Sequence, residues 1–343
     1  MSIFYVSSYG KEDDKGIYII SHDQENNTMS IVEHVKTKDY PSYMIKTDNS
    51  IFVTYKNASK DNTGGGVGSF FIKDNTLLLN TNYSSSGRSY THVCVSDDEK
   101  YLFAANYHAG STASYALDNH CVTKKISAIH HEGMGPDELK RQTSPHVHYV
   151  GFTPDKKYVY AVDLGADKIV MYRYNDGILE ESIEHTLNIL PGSGPRHMIF
   201  SKDGHFAYLV NELSNTIMVF KYVDEHFTLL QVINTVPRHF DGFSAAAAIR
   251  LTASGKHLLV SNRGHDSIAL YRINQETGKI SLLYMVHTGK NPRDFNILDD
   301  KYIIVAAQED NQLEVLTFDE TNEKLVHTNN ILSVPQPVCV TIK

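Results

Sequence analysis

The chain has 343 residues, 41% of them hydrophobic and 21% charged, an ordinary globular balance with length enough for a sizeable core. Its formal charge is −8 and it has no long basic run, which argues against a nucleic-acid partner and requires any anionic substrate to meet a local cationic patch. Three scattered cysteines (Cys94, Cys121, Cys339) and no CxxC exclude a disulfide framework and fit a reducing compartment.

The start, MSIFYVSSYG, lacks a basic segment followed by a long apolar core, and no apolar stretch is long enough to cross a bilayer. The expectation is a cytoplasmic protein with no membrane partner. Residues 3–10, 16–21 and 29–35 read as three strands. PSYMIKTDNSIFVTYKN (41–57) is a strand pair that appears one residue short, and TGGGVGSF (63–70) reads as a flexible turn. SYTHVCVSDDEKYLFAANYHAGSTASYAL (89–117) shows a fuller unit: strand head, apolar strand, polar turn, second strand, polar residue, third strand. The stretch around 118–143 reads as the largest insertion, with His130, His131 and Glu132 in solvent. The unit then recurs at 144–174, 194–222, 245–273 and 291–318, and PQPVCVTIK (335–343) is a first strand with nothing after it.

Repeats spaced by roughly 45–55 residues fit four-stranded propeller blades. Joining the last strand to the first three completes a seventh unit and removes an exposed sheet edge. The sequence therefore predicts an all-β, seven-bladed β-propeller of four-stranded antiparallel blades. One domain spans 1–343, closed by strand 337–342 pairing beside 3–9. Trp is absent, so the repeat is not of the WD type.

Alignment on the turn residues Asp98, Asp155, Asp203, Ser254 and Asp300 stacks the odd residues. Strand heads hold Thr91, His148, Arg196, Ala247 and Arg293. Second-strand tails hold Asn106, Asp163, Asn211, Asn262 and Gln308, followed by Tyr107, Leu164, Glu212, Arg263 and Glu309. In a propeller both positions converge on one mouth of the central channel. Charges that change from blade to blade suit a site grafted on a symmetric scaffold. The plainer reading makes the tail Asn and Asp residues rim hydrogen-bonders, and Arg196 and Arg263 simple salt-bridge partners of Glu212. Strand alternation turns His197 away from Arg196, to pack between blades. His146 and His148 share a face at a metal-compatible spacing, but no third ligand stands out, so no metal is expected. Gly64–Gly66 lacks a phosphate-loop context, and no GxSxG elbow or cysteine beside a base occurs.

GPRHMIFSKDGHFAYLVNEL (194–213), SPHVHYVGFTPDKKYVYAVDLGADKI (144–169), SNRGHDSIALYRI (261–273) and NPRDFNI (291–297) resemble the seven-bladed propeller lactonases across essentially the whole chain. That family includes bacterial 6-phosphogluconolactonases, with fungal carboxy-muconate lactonizing enzymes as relatives. The resemblance implies catalysis without a cofactor and a site of His148, Glu212, Arg196 and Arg263, with Arg293 a further matching arginine. Arg293, His146, Asn211, Asn262 and Asn106 are the candidate substrate-binding residues. The expected reaction is hydrolysis of 6-phospho-D-glucono-1,5-lactone, a small phosphorylated sugar lactone, in the pentose phosphate pathway by a monomer or dimer. Alternatives are a lactonase or lactonizing enzyme for a carboxylated substrate such as a muconolactone, and a non-catalytic ligand- or protein-binding propeller. His148 is favoured as the base because arginines beside Glu212 would weaken that carboxylate as a proton acceptor.

Overall fold

The computed structural model describes residues 1–58, 64–84 and 89–342. Seven antiparallel blades surround a central channel, each of four strands, with a short fifth strand, Leu187–Asn188, added in blade 4. Blade 1 combines the strand Pro337–Thr341 with three strands in 2–36; blades 2 to 7 occupy 40–84, 90–130, 147–188, 195–234, 245–287 and 292–333. The expected closure is present, with Tyr5 opposite Thr341 and Val6 opposite Val340. Among the described residues no helix is long and apolar enough to cross a membrane.

Local chemistry explains the repeat. In the first turn of blades 3, 4 and 5 a hydroxyl donates to the turn acid: Ser96 to Asp98, Thr153 to Asp155, Ser201 to Asp203. The same hydroxyl accepts the backbone N–H that opens the next strand, from Tyr101, Tyr158 and Phe206. The hairpins between third and fourth strands use consecutive residues at positive φ, such as Asn119–His120 and Asp176–Gly177, the conformation a tight hairpin needs. Apolar side chains pack between neighbouring blades: Tyr208 and Val210 of blade 5 meet Ile249, Leu258 and Val260 of blade 6.

The head of every inner strand carries a register shift. It falls between Pro337 and Cys339 in blade 1, and in blades 2 to 7 between Pro41/Tyr43, Tyr90/His92, Val147/Tyr149, Pro195/His197, Ala246/Ile249 and Pro292/Asp294. A bulge suspends strict alternation, so consecutive residues face the channel. This overturns the expectation for His197: Arg196 Nη1 lies 3.0 Å from His197 Nε2, and the ring sits beside Tyr149 and His148 in the channel.

Other expectations change as well. Gly66–Lys73 is a blade strand, so most of 63–70 is not a turn, and Thr63 lies outside the described residues. Cys121–His130 is the outer strand of blade 3, so the insertion begins after it. His131 is buried there: its Nδ1 is 2.8 Å from Asp163, and Nε2 reaches Thr112 and Tyr172. The shorter turn of blade 7 pairs Pro292 with Ala307, which makes Gln308, not Glu309, the equivalent of Glu212.

Candidate active site

The bulges and strand ends build three tiers down the channel. The upper tier is the residue that follows, on each second strand, the partner paired just before the bulge: Tyr9, Lys56, Tyr107, Leu164, Glu212, Arg263 and Gln308. All of these except Leu164 line a cavity of about 400 Å³ at the mouth. At the Leu164 position the loop after blade 3 intrudes. Gln142 Nε2 donates to Leu164 O, and the neighbouring Arg141 enters the cavity wall. The middle tier holds the bulged residues Val338, Ser42, Thr91, His148, Arg196 and Arg293, which surround a smaller recess below. The lower tier is aromatic. Ring centroids of Tyr43 and His92 are 4.1 Å apart, of His92 and Tyr149 3.8 Å, and of Tyr149 and His197 5.0 Å. Beside them Arg250 and Asp294 pair at 2.8 Å. A separate cavity lined by Tyr43, His92 and Tyr149 opens at the opposite end.

Glu212 is the electrostatic centre. It is 3% exposed, and three guanidinium groups share it: Arg141 at 2.7 Å on Oε1, Arg196 at 3.0 Å and Arg263 at 2.7 Å on Oε2. Burial alone would raise its pKa, but Arg263, Arg196 and Arg141 outweigh that and hold the carboxyl far below the usual range. Arg196 lies beneath the cavity rather than in its wall. It also donates to Ala247 O at 2.8 Å, and burial followed by the charge of Arg263 pulls its pKa down to about 9, so it remains cationic at neutral pH. Arg263 donates Nε to Ala245 O, and its Nη2 approaches Glu212 without an N–H aligned on the oxygen.

His148 lines both the cavity and the recess beneath it, and its Nδ1 has no hydrogen-bond partner. Burial, then the charge of Arg196, holds its pKa well below the ordinary value, so the ring is neutral at pH 7. Arg293 faces the cavity with its guanidinium 5.7 Å from the centre of the Tyr9 ring. The cavity wall thus carries Lys56, Arg141, Arg263 and Arg293 against the single carboxylate of Glu212, in a chain of net charge −8.

The remaining candidates sit outside this wall. His146 stacks on Tyr107 at 4.4 Å and bonds Tyr107 O through Nδ1, so it backs the ring whose edge meets His148. Asn106 accepts from Ala109 N, Asn211 donates to Thr216, and Asn262 donates to Thr235 O. All three bonds lie at the links that follow second strands, and the Oδ1 atoms of Asn211 and Asn262 have no hydrogen-bond partner. Among the described residues no cluster of three or more His, Cys, Asp or Glu side chains is placed to hold a metal ion. Sequence reasoning missed Arg141, which lies outside the repeat; its one signal was position in the insertion nearest the mouth. It also missed Tyr9 and Lys56, although both occupy the repeat position of Glu212 in their own blades.

The comparisons with known proteins agree with this architecture. A 6-phosphogluconolactonase of Bacillus subtilis (strain 168) is 34% identical over 346 residues, covering 98% of this chain and 97% of that one. The solved periplasmic gluconolactonase of Pseudomonas aeruginosa superposes with a TM-score of 0.92 at 28% identity, covering 98% of each chain. A putative 6-phosphogluconolactonase from Bacteroides fragilis superposes at 0.90 with 29% identity, covering 99% of this chain and 97% of that chain. Residues 3–342 match the family described as Lactonase, 7-bladed beta-propeller, and with the bulged, charged mouth of its channel the chain belongs to the seven-bladed β-propeller lactonases.

Proposed function

We propose that the protein hydrolyses 6-phospho-D-glucono-1,5-lactone to 6-phosphogluconate at the mouth of the channel. The observation that carries this reading is a cavity at the mouth with four cationic side chains, one buried carboxylate and a neutral histidine. The substrate is anionic, and its carbonyl oxygen gains charge as water adds. Cations set in a partly desolvated wall favour both.

In the reaction a water oxygen bonds to the lactone carbonyl carbon and loses a proton to a base. The carbonyl oxygen becomes an oxyanion, which then expels the ring oxygen, and that oxygen takes up a proton. His148 suits the base role because its neutral ring lines the cavity and its Nδ1 has no hydrogen-bond partner. Both oxygens of Glu212 are already committed to arginines, so its role is to fix Arg141 and Arg263 in place. Arg263, bonded to Ala245 O through Nε, presents its remaining N–H groups to the oxyanion. Arg196 acts through Glu212 as a positioning residue. That substrate would place the protein in the cytoplasm and the oxidative pentose phosphate pathway.

The test is a panel of lactones with and without the terminal phosphate. A kcat/KM for the phosphorylated lactone at least tenfold above that for D-glucono-1,5-lactone is expected from one extra charge-assisted contact. The structural likeness to a periplasmic gluconolactonase favours the second reading, an unphosphorylated aldonolactone, which equal or reversed rates would support. Hydrolysis of neither would leave a binding propeller.

A further inference from the structure

We infer that Lys56, Arg293 and Tyr9 form a phosphate-monoester subsite that sets the substrate preference of this cavity. The inference rests on the lactonase reading and names which wall takes which end of the substrate.

The cations of the mouth fall into two groups. Arg141, Arg196 and Arg263 converge on Glu212. Lys56 and Arg293 do not: among the described residues neither is within ion-pair distance of a carboxylate. They flank one aromatic ring instead, Lys56 Nζ 5.5 Å and the Arg293 guanidinium 5.7 Å from the centre of Tyr9. A cation–π contact engages the charge of each group but not its N–H donors. A dianionic group beside the ring would give both an ionic partner.

Position supports the assignment. Arg293 belongs to blade 7, Tyr9 to blade 1 and Lys56 to blade 2, which are consecutive in the ring. Glu212 is in blade 5, three blades from blade 1 one way round and three from blade 2 the other. Tyr9 and Lys56 therefore face the Glu212 cluster across one cavity, while Arg293, in the blade next to that of Arg263, also lines the recess beneath with His148 and Arg196. A hexose lactone phosphorylated at its far end has the same layout, with the reactive carbonyl at one end and the phosphate at the other. Tyr9 and Lys56 occupy the repeat position that holds Glu212 and Arg263 in blades 5 and 6. The scaffold thus offers the position, and the residue type gives each side of the mouth its task.

The test compares wild type with Lys56→Ala, Arg293→Ala and Arg293→Lys. Lys56 is exposed at a strand end, so its truncation leaves the fold undisturbed. The ratio of kcat/KM for phosphorylated over unphosphorylated gluconolactone should fall about tenfold or more in each alanine variant, through KM, with partial recovery in Arg293→Lys. Loss of activity on both lactones in proportion, or an unmoved ratio, overturns the subsite. Inorganic phosphate gives a readout independent of turnover: calorimetric binding should be lost in Lys56→Ala and Arg293→Ala and kept in His148→Gln. If wild type hydrolyses neither lactone, the functional reading falls while this binding pattern still upholds the subsite. Phosphate binding kept in every variant overturns it.

Discussion

Replacing Glu212 with Gln keeps the shape of the side chain and removes the charge that three guanidinium groups share. Arg196 is as buried as Glu212, and breaking a buried pair by removing one partner costs about 3–5 kcal/mol. Arg141 has a side chain 40% exposed, so water takes over much of its share and adds little to that sum. A chain of 343 residues unfolds with an entropy of roughly 0.7 kcal/mol/K, which converts the loss into a Tm drop of roughly 4–7 °C. The pH dependence has a definite sign. The folded-state pKa of Glu212 is depressed, so its stabilisation is complete above the ordinary value of 4.5 and erodes as pH falls below it. Thermal unfolding of both proteins followed by circular dichroism should give a constant gap between about pH 6 and 8 that narrows below about pH 4.5. Equal Tm values at pH 7, or a gap that widens on acidification, would refute the account of Glu212 as the compensating charge.

Two further outcomes follow from the geometry. His148→Gln should reduce lactone hydrolysis to the spontaneous rate while product still binds, and Glu212→Gln should reduce it only in part; the opposite ranking in folded variants, read from kcat and a pH–rate profile, assigns the base to Glu212. Removing 335–343 strips the inner strand from blade 1 and exposes the edge of Ser2–Tyr9, so the truncated protein should melt well below the full chain or fail to fold, and an unchanged melting curve would refute closure as the source of that stability.

The repeat made much of this site legible. A residue's offset from a turn acid fixes its height in the channel, so His148, Arg196 and Arg293 on one offset, and Glu212 and Arg263 on another, could be brought to one mouth from spacing alone. The failures occur where the backbone leaves that arithmetic. Bulges at the strand heads defeat period-two alternation, which is why His197 faces the channel beside Arg196. A shortened turn in blade 7 moved Glu309 into a place that Gln308 holds. Arg141 arrives on a loop that belongs to no repeat, secured by the buried contact of His131 with Asp163 and by Gln142, and no periodic signal reaches it. Asn106, Asn211 and Asn262 were brought to the rim by the same offset, and each makes a local hydrogen bond at the link after its strand.

The tilted rings of Tyr43, His92, Tyr149 and His197 stand between the recess below the mouth and the cavity at the opposite end. Opening a lactone creates a carboxylate where there was none, so the departing acid is one charge more negative than the arriving ester. On the proposed reaction it leaves past Arg141, Arg263, Arg293 and Lys56, the same cations that favour the arriving substrate. The charge that helps capture then opposes release, and the partly hydrated Arg141, whose side chain is 40% exposed, stands where water can first loosen the hold.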